Sequence, residues 1–504
     1  MLRTWVRQRD RTRARREDAV VDELLDRGDG HELPEDLPLA PLRGRAPAGH
    51  RWETSELQLQ DTYLDTPSGH LAQHELTLRL RADGPDAGWH LEVPHADGRA
   101  DIADPSTSEQ PPRTLRALVV GAQAGEQLSP VARVGVTRTT HRLRAADGTL
   151  LLELADDRVS AVTLGRESRV SSWREVTLRP ASEGGAKPAR RIAKRLQAAG
   201  ETLGTSTSRL QRALGGAAPA SAPDELDTVG ALAWAYLADQ CREIARCDIG
   251  LRRDEPLVHK YRVAIRRLRS TLRVFDALFD PDEIAVLEAE LVWFAGLLGE
   301  VRDRDVLQER LAAKIAELPA EVVLGPVAAF VESTLSSERA EHWERAVEAM
   351  SGDRYQTLLR LLLRWRTLPP LTAVAGDPAE AVDGYLRRAE KKVTTRLAEA
   401  GGDVEALHRA RKAAKRHRYA AELAAQAGSK QATRTIKDTT RLQTLLGEHQ
   451  DSAVSAAFLR RLGAAAGADG GQNGFTYGYL MAREEELARR IRAEAERRWG
   501  RKER

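Results

Sequence analysis

One basic helical segment occurs twice in this chain, 149 residues apart, and no other feature restricts the fold so tightly. The first copy reads HKYRVAIRRLRSTLR, His259 to Arg273, and the second HRARKAAKRHRYAAE, His408 to Glu422. Each is followed some 40 residues later by a shared string, LLGEVRDRDV (Leu297 to Val306) and LLGEHQDSAV (Leu445 to Val454). Two motifs in one order at nearly one offset mark an internal duplication. A duplicated basic element can face its own copy across a pseudo-twofold axis and form one anion-binding surface.

The helical period shows what each copy presents. At about 100° per residue, His259, Arg262, Arg266, Arg269 and Arg273 share an arc of roughly 80°. Tyr261, Ala264, Ile265, Leu268, Leu272 and Phe275 take the opposite side, an apolar face for a core. The second copy aligns His408, Arg411, Lys415 and Arg418, flanked by Lys412 and Arg416, over a weaker face of Ala410, Ala413, Ala414 and Ala421, with His417 in its middle. A lone charge run is ordinarily a solvated helix face. Like charges at i,i+3 and i,i+4 cost a few tenths of a kcal/mol per pair, and here both copies accept that cost repeatedly. Guanidinium also matches phosphate oxygens in geometry and permanent charge. The paired stripes therefore read as an anion site.

These strings, H-x-x-R-V-x-I-R-R-L-R, H-x-x-R-K-x-x-K-R-x-R-Y and two L-G-x-x-x-D, resemble the CHAD family, the conserved-histidine α-helical domain, over residues 226–500. The resemblance implies a pair of pseudo-symmetric four-helix bundles whose basic helices line a central channel. It also implies binding of inorganic polyphosphate and association with polyphosphate granules. Carried over by position, the binding residues are His259, Arg262, Arg266, Arg267, Arg269, Arg273, His408, Arg411, Lys412, Lys415, Arg416 and Arg418. Glu422 departs from the pattern, standing where the first copy has Arg273. Each histidine either donates to a phosphate chain or caps a helix end. Gly299 and Gly447, followed by Asp303, Asp305 or Asp451, read first as helix caps, with orientation of nearby arginines as the alternative.

Upstream of a small-residue, Pro-containing linker at 215–225 the texture changes. ELTLRLRADG alternates Leu76, Leu78 and Leu80 with polar residues, and WHLEVP, TLLLELADDRVSAVTL and WREVTLRP follow in short runs. That pattern predicts an α+β domain, an antiparallel barrel with a polar interior closed by a helix near Lys187 to Ala199. DTYLDTPSGHLAQHELTLRLR, GWHLEVP, LELADDRVSA and WREVTL resemble the CYTH family, the triphosphate tunnel fold, over residues 19–214. The family's first-strand E-x-E-x-K has VVDELLD as its nearest counterpart, leaving Val20, Asp22 and Leu24 at the key places. Glu92 replaces an expected lysine, and Glu175-Val176-Thr177 keeps one carboxylate of two. Arg79, Arg81 and Arg138 remain as phosphate contacts, with an ion-paired strand face as the alternative. Glu153, Asp156 and Glu175 remain as weak metal candidates. Metal-assisted phosphoryl transfer needs the metal fixed and the developing charge neutralised together, so the domain reads as a degenerate, noncatalytic tunnel. Mg2+ or Mn2+ would be required only if it were active as a triphosphatase.

Composition limits the remaining classes. Net charge is +3 over 504 residues, so polyanion selectivity must come from where charge is placed. Aromatic content is 5%, too sparse for the stacking platforms of a single-strand binder; nucleic acid is therefore a disfavoured partner. Cys241 and Cys247 read as small core residues rather than a disulfide or metal pair. No apolar run approaches a membrane span, and the expected location is cytoplasmic. The first 18 residues hold seven arginines and read equally as a polyanion-binding arm or as read-through from an upstream start.

Overall fold

The computed structural model describes residues 31–95, 98–165, 168–198, 208–215, 222–223, 225–400, 403–466 and 473–499. The Arg-rich first 18 residues, the Val20-Asp22-Leu24 strip and most of the 215–225 linker lie outside them. The chain divides into two compact units, residues 1–119 with 126–219 and residues 120–125 with 220–504.

The first unit is built on eight antiparallel strands: β1 (His31–Leu33), β2 (Arg51–Asp65), β3 (Thr77–Arg81), β4 (Gly88–His95), β5 (Gly98–Asp104), β6 (Ser129–Arg144), β7 (Leu150–Thr163) and β8 (Val170–Pro180). Their order in the sheet is β1-β8-β7-β6-β2-β3-β4-β5. Short helices α1 (Leu39–Arg43), α2 (His70–Gln73) and α3 (Arg113–Val119) lie between strands, and α4 (Glu183–Ala198) and α5 (Arg209–Ala213) follow them. Alternation sorts the side chains. Leu143, Leu152, Leu154, Val176 and Leu178 pack one face against Ile192 and Leu196 of α4. Leu59, Tyr63, Val134, Val136, Val159 and Trp173 pack the other against Leu210 and Ala213 of α5. The antiparallel class is as expected, but closure into a barrel is corrected. Among the described residues β1 and β5 remain unpaired edges. Their weakness as closing partners is physical: β1 is three residues long, and β5 carries no fully buried residue.

The second unit is helical: α6 (Val229–Leu251), α7 (Val258–Val274), α8 (Pro281–Ala316), α9 (Val327–Met350), α10 (Asp353–Thr367), α11 (Val382–Ala398), α12 (Val404–Gln426), α13 (Lys430–Ala466) and α14 (Phe475–Trp499). A shift of 149 residues carries α6–α9 onto α11–α14, so the duplication extends to four helices per copy, with α10 between them. Side-chain caps fix where helices begin: Thr228 accepts from Ala231 N–H, Asp280 from Asp282 and Glu283, and Asp403 from Ala406. Two cores span both copies: one takes residues from α6 to the start of α13, and another joins α8 and α9 to α13 and α14. A third lies within α11 to α14 of the second copy.

Burial decides the contest within α7. Tyr261, Ala264, Ile265, Leu268 and Leu272 are each at most 1% exposed. A buried Leu or Ile contributes about 1.5–3 kcal/mol, which outweighs the tenths lost per like-charge pair on the outer stripe. The helix is held by its apolar face. Cys241 and Cys247 are both buried and unpaired, and burial pushes the Cys241 thiol up to about 12.

Candidate anion-binding channel

The two basic helices, α7 and α12, pack against each other, and with α8 and α13 they enclose a cavity of about 720 Å³. Of the twelve residues the sequence points to, ten line it: His259, Arg262, Arg266, Arg269, Arg273, His408, Arg411, Lys412, Lys415 and Arg416. Arg302 and Arg310 of α8 join them, so ten lysines and arginines face two aspartates, Asp303 and Asp451. Arg267 and Arg418 turn away. Arg267 donates to Glu422 at 2.9 Å and Arg418 lies 3.6 Å from it, both over the ring of Tyr419. Glu422 also accepts from Tyr236 Oη at 3.1 Å. The position that breaks the basic stripe thus ties α12 to α6 and α7.

Carboxylate pairing separates the lining cations. Arg262 is held by Asp303 at 2.9 Å, Arg269 and Arg273 by Glu288, and Arg310 by Glu448 and Glu484. Arg266, Arg411, Lys412, Lys415 and Arg416 have no carboxylate within 4 Å among the described residues. The Nε atoms of Arg266 and Arg411 are buried without any hydrogen-bond partner. Burial, with Arg411, Arg266 and Arg262 alongside, pushes the Lys415 ammonium down to about 7. Burial and neighbouring cations likewise lower Arg411, Arg416, His259 and His408. Uncompensated positive charge in a half-buried site is costly unless an anion supplies the missing field.

Gly299 and Gly447 are corrected from caps. Both lie inside continuous helices, α8 and α13, where glycine costs about 1 kcal/mol relative to alanine. A Cβ on Gly299 would stand 3.4 Å from a terminal nitrogen of Arg262, and one on Gly447 would stand 3.2 Å from that of Arg411. The Arg262 guanidinium also donates to the Gly299 carbonyl at 3.2 Å. Each glycine leaves room for the arginine beside it, and Asp303 orients Arg262, whereas Asp451 acts on Arg411 only at longer range. This was the alternative left open by the sequence. A Gly447→Leu change is expected to leave helix content intact while lowering anion affinity roughly tenfold, the worth of one well-placed charged contact. Titration with circular dichroism as the fold control checks it.

Neither histidine is a helix cap: Leu257 and Asp403 hold those places. His259 and His408 both reach the cavity, His408 sharing a 3.1 Å hydrogen bond with Gln450. Arg302 and Arg310 escape the sequence reading because a helix cap at Gly299 would end the helix before them. As helix, Gly299, Arg302, Val306 and Arg310 fall on one face, and that periodicity was the available signal.

The sheet unit tells an opposite story. Arg81 makes a bidentate pair with Asp61 at 2.8 and 2.9 Å and also reaches Asp86. Arg79 is paired with Glu92, the residue standing where a lysine was expected, and Arg138 is bidentate with Asp157. The ion-paired alternative for these arginines is what the geometry contains. The three metal candidates are not brought together. Glu153 and Glu175 share a sheet face, but Asp156 points to the other and binds Arg174 at 2.7 and 2.8 Å. Glu153 bonds Arg142, and Glu175 accepts from Arg209 at 2.6 Å and from the Trp173 indole. Asp157, Asp61 and Arg209 were missed; counting pleat parity from Glu153 would have selected Asp157 over Asp156. Among the described residues no group of three or more His, Cys, Asp or Glu is placed to hold a metal.

Comparison with known proteins finds both domains. A CYTH domain matches residues 49–176 and a CHAD domain residues 235–460. An uncharacterized protein found in two strains of Mycobacterium tuberculosis is 31% identical over 470 residues, covering 87% of this chain and 88% of its own. Among solved structures, PptA from Streptomyces chartreusis is 20% identical, covering 54% of this chain and 99% of its own at a TM-score of 0.47. The CHAD domain from the plant Ricinus communis is 27% identical, covering 55% and 96% at 0.42. With both domains matched in order, and a relative this similar along most of its length, the chain belongs to the CYTH–CHAD fusion proteins.

Proposed function

We propose that this protein binds inorganic polyphosphate noncatalytically in the channel between its duplicated basic helices. The observation that carries the reading is the set of five cations from both copies that line the cavity without a carboxylate partner. A linear chain of phosphates offers closely spaced charge with no bases to stack, and the cavity offers cations with no aromatic platform. Tyr419, its one aromatic lining residue, is 1% exposed. No metal is asked of the site. The sheet unit, its carboxylates engaged by arginines, is read as an accessory without hydrolytic activity. No helix among the described residues is long and apolar enough to cross a membrane. A cytoplasmic location at polyphosphate granules is part of the same proposal.

The test is titration with labelled long-chain polyphosphate beside single-stranded DNA at stepped salt concentrations. Neutralising about five phosphates predicts a log–log salt slope near −3.5, using the single-strand coefficient. Tighter binding to polyphosphate than to DNA, unchanged by chelator, supports the reading. Equal affinity for DNA overturns it.

Acidity should tune the affinity. Lys415 titrates near 7 when the channel is empty, and a bound polyanion raises that value by favouring the charged form. Binding therefore takes up a proton above about pH 7. Affinity is expected to be fullest below 7 and to fall as pH rises through 7 to 9, by up to tenfold per unit for one linked proton. A Lys415→Arg variant, charged throughout, should flatten the profile.

A further inference from the structure

The central cavity has two pseudo-symmetric flanks, and the duplication has made them differ in how their cations are paired. On one flank lies a cavity of about 520 Å³, into which Arg273, Arg388, Lys392 and Arg416 project. On the other lies one of about 290 Å³, with Asp239 and Glu243 at its wall beside Arg242, Arg246, Lys260 and Arg267. The shift of 149 residues equates them position by position: Arg388 with Asp239, Lys392 with Glu243, Arg416 with Arg267, and Arg273 with Glu422. The buried pair Tyr236 and Tyr385 confirms this register. Three of the four positions have reversed their charge.

Continuity also differs. Arg273 and Arg416 line both the central cavity and the larger flank, so the two spaces share a wall. The smaller flank shares no lining residue with the centre. Three of its cations are tied up: Arg267 by Glu422 at 2.9 Å, Lys260 by Glu243 at 2.7 Å, Arg242 by Asp239 at 2.6 Å. On the larger flank Arg388 stands over the Tyr385 ring at 4.4 Å. Neither it nor Lys392 nor Arg416 has a carboxylate within 4 Å among the described residues. The acids there are Asp276 and Glu288, the latter holding Arg273 and Arg269.

We propose that a long polyanion leaves the channel by one mouth only, past Arg273 and Arg416 onto a second phosphate subsite formed by Arg388 and Lys392. This rests on the polyphosphate reading and adds to it a direction and a length preference. A short chain fills the centre alone; a long one gains the additional cations. The opposite mouth, where Arg242, Lys260 and Arg267 already hold carboxylates, offers the chain no equivalent subsite.

Full-length protein is titrated with tripolyphosphate and with long-chain polyphosphate. Arg388→Glu/Lys392→Glu, at two exposed positions, is expected to weaken the long chain about tenfold and flatten its salt slope by about 1.4, leaving tripolyphosphate unchanged. Arg242→Glu/Lys260→Glu, at the opposite mouth, is expected to alter neither. An unchanged long chain in the first variant overturns the one-mouth path, as do equal losses at both mouths. If wild-type protein binds neither chain length, the polyphosphate reading itself has failed.

Discussion

Replacing Arg266 and Lys415 together by glutamate is expected to lower polyphosphate affinity about a thousandfold. The two residues come from opposite copies, line one cavity and lack carboxylate partners. Each reversal removes an attraction and adds a repulsion. At an effective dielectric near 20, two unit charges about 4 Å apart interact by about 4 kcal/mol. Salt screening and chain rearrangement reduce this to roughly two per site. The same change should not unfold the protein. In the empty channel burial first, and then repulsion from Arg411, Arg266 and Arg262, pushes Lys415 down. Converting two of them to anions relieves that repulsion, so the melting temperature should hold or rise. Loss of binding with fold retained separates a channel from a solvated surface. Arg345→Glu on α9, a 59%-exposed side chain outside the cavity, serves as the charge-matched control and should bind normally. Retained affinity in the double variant would remove the channel as the site.

The second large effect belongs to the sheet unit. Asp61→Ala is expected to destabilise that unit by about 3–5 kcal/mol, the range for breaking a buried ion pair from one side. Asp61 is 1% exposed; Arg81 grips both of its oxygens and Arg79 lies 3.7 Å away. Its loss strands two guanidinium groups, each 8% exposed by residue, with Glu92, Asp86 and, at 3.6 Å from Arg79, Asp101 to share. Replacing Asp61 and Arg81 together by leucine should recover much of the loss, because no buried charge then lacks its partner. Hydrogen exchange of the β2 and β3 amides reads this unit apart from the helices. A cost below 1 kcal/mol for Asp61→Ala would mean that the arginines had never depended on it. They would then be available to anions after all.

The two units differ in how much of their site could be read from the residues. Helix periodicity alone placed Arg262, Arg266, Arg269 and Arg273 on one stripe, because the 3.6-residue repeat is local and a 17-residue helix has no alternative register. Duplication then supplied the facing stripe. Arg267 and Arg418 could not be excluded that way. Both lie beside the stripe, and what removes them is Glu422, 155 residues from Arg267 in sequence. Gly299 and Gly447 were misread for a related reason. Glycine ends helices more often than it interrupts them, and the guanidinium groups that need its missing side chain come from another helix.

In the sheet unit the departures Glu92 and Glu175-Val176-Thr177 signalled a weakened site. Which carboxylate meets which arginine, however, is set by strand register and pleat, neither of which a single strand reveals. The sequence by itself determined the architecture class, the duplication and the cationic face of each basic helix, because these follow from local periodicity and repetition. Tertiary structure alone decided which charges are spent on partners inside the fold and which remain for a ligand. That outcome depends on distances of a few ångströms between residues far apart in the chain, where pairing within the protein competes directly with binding of a polyanion.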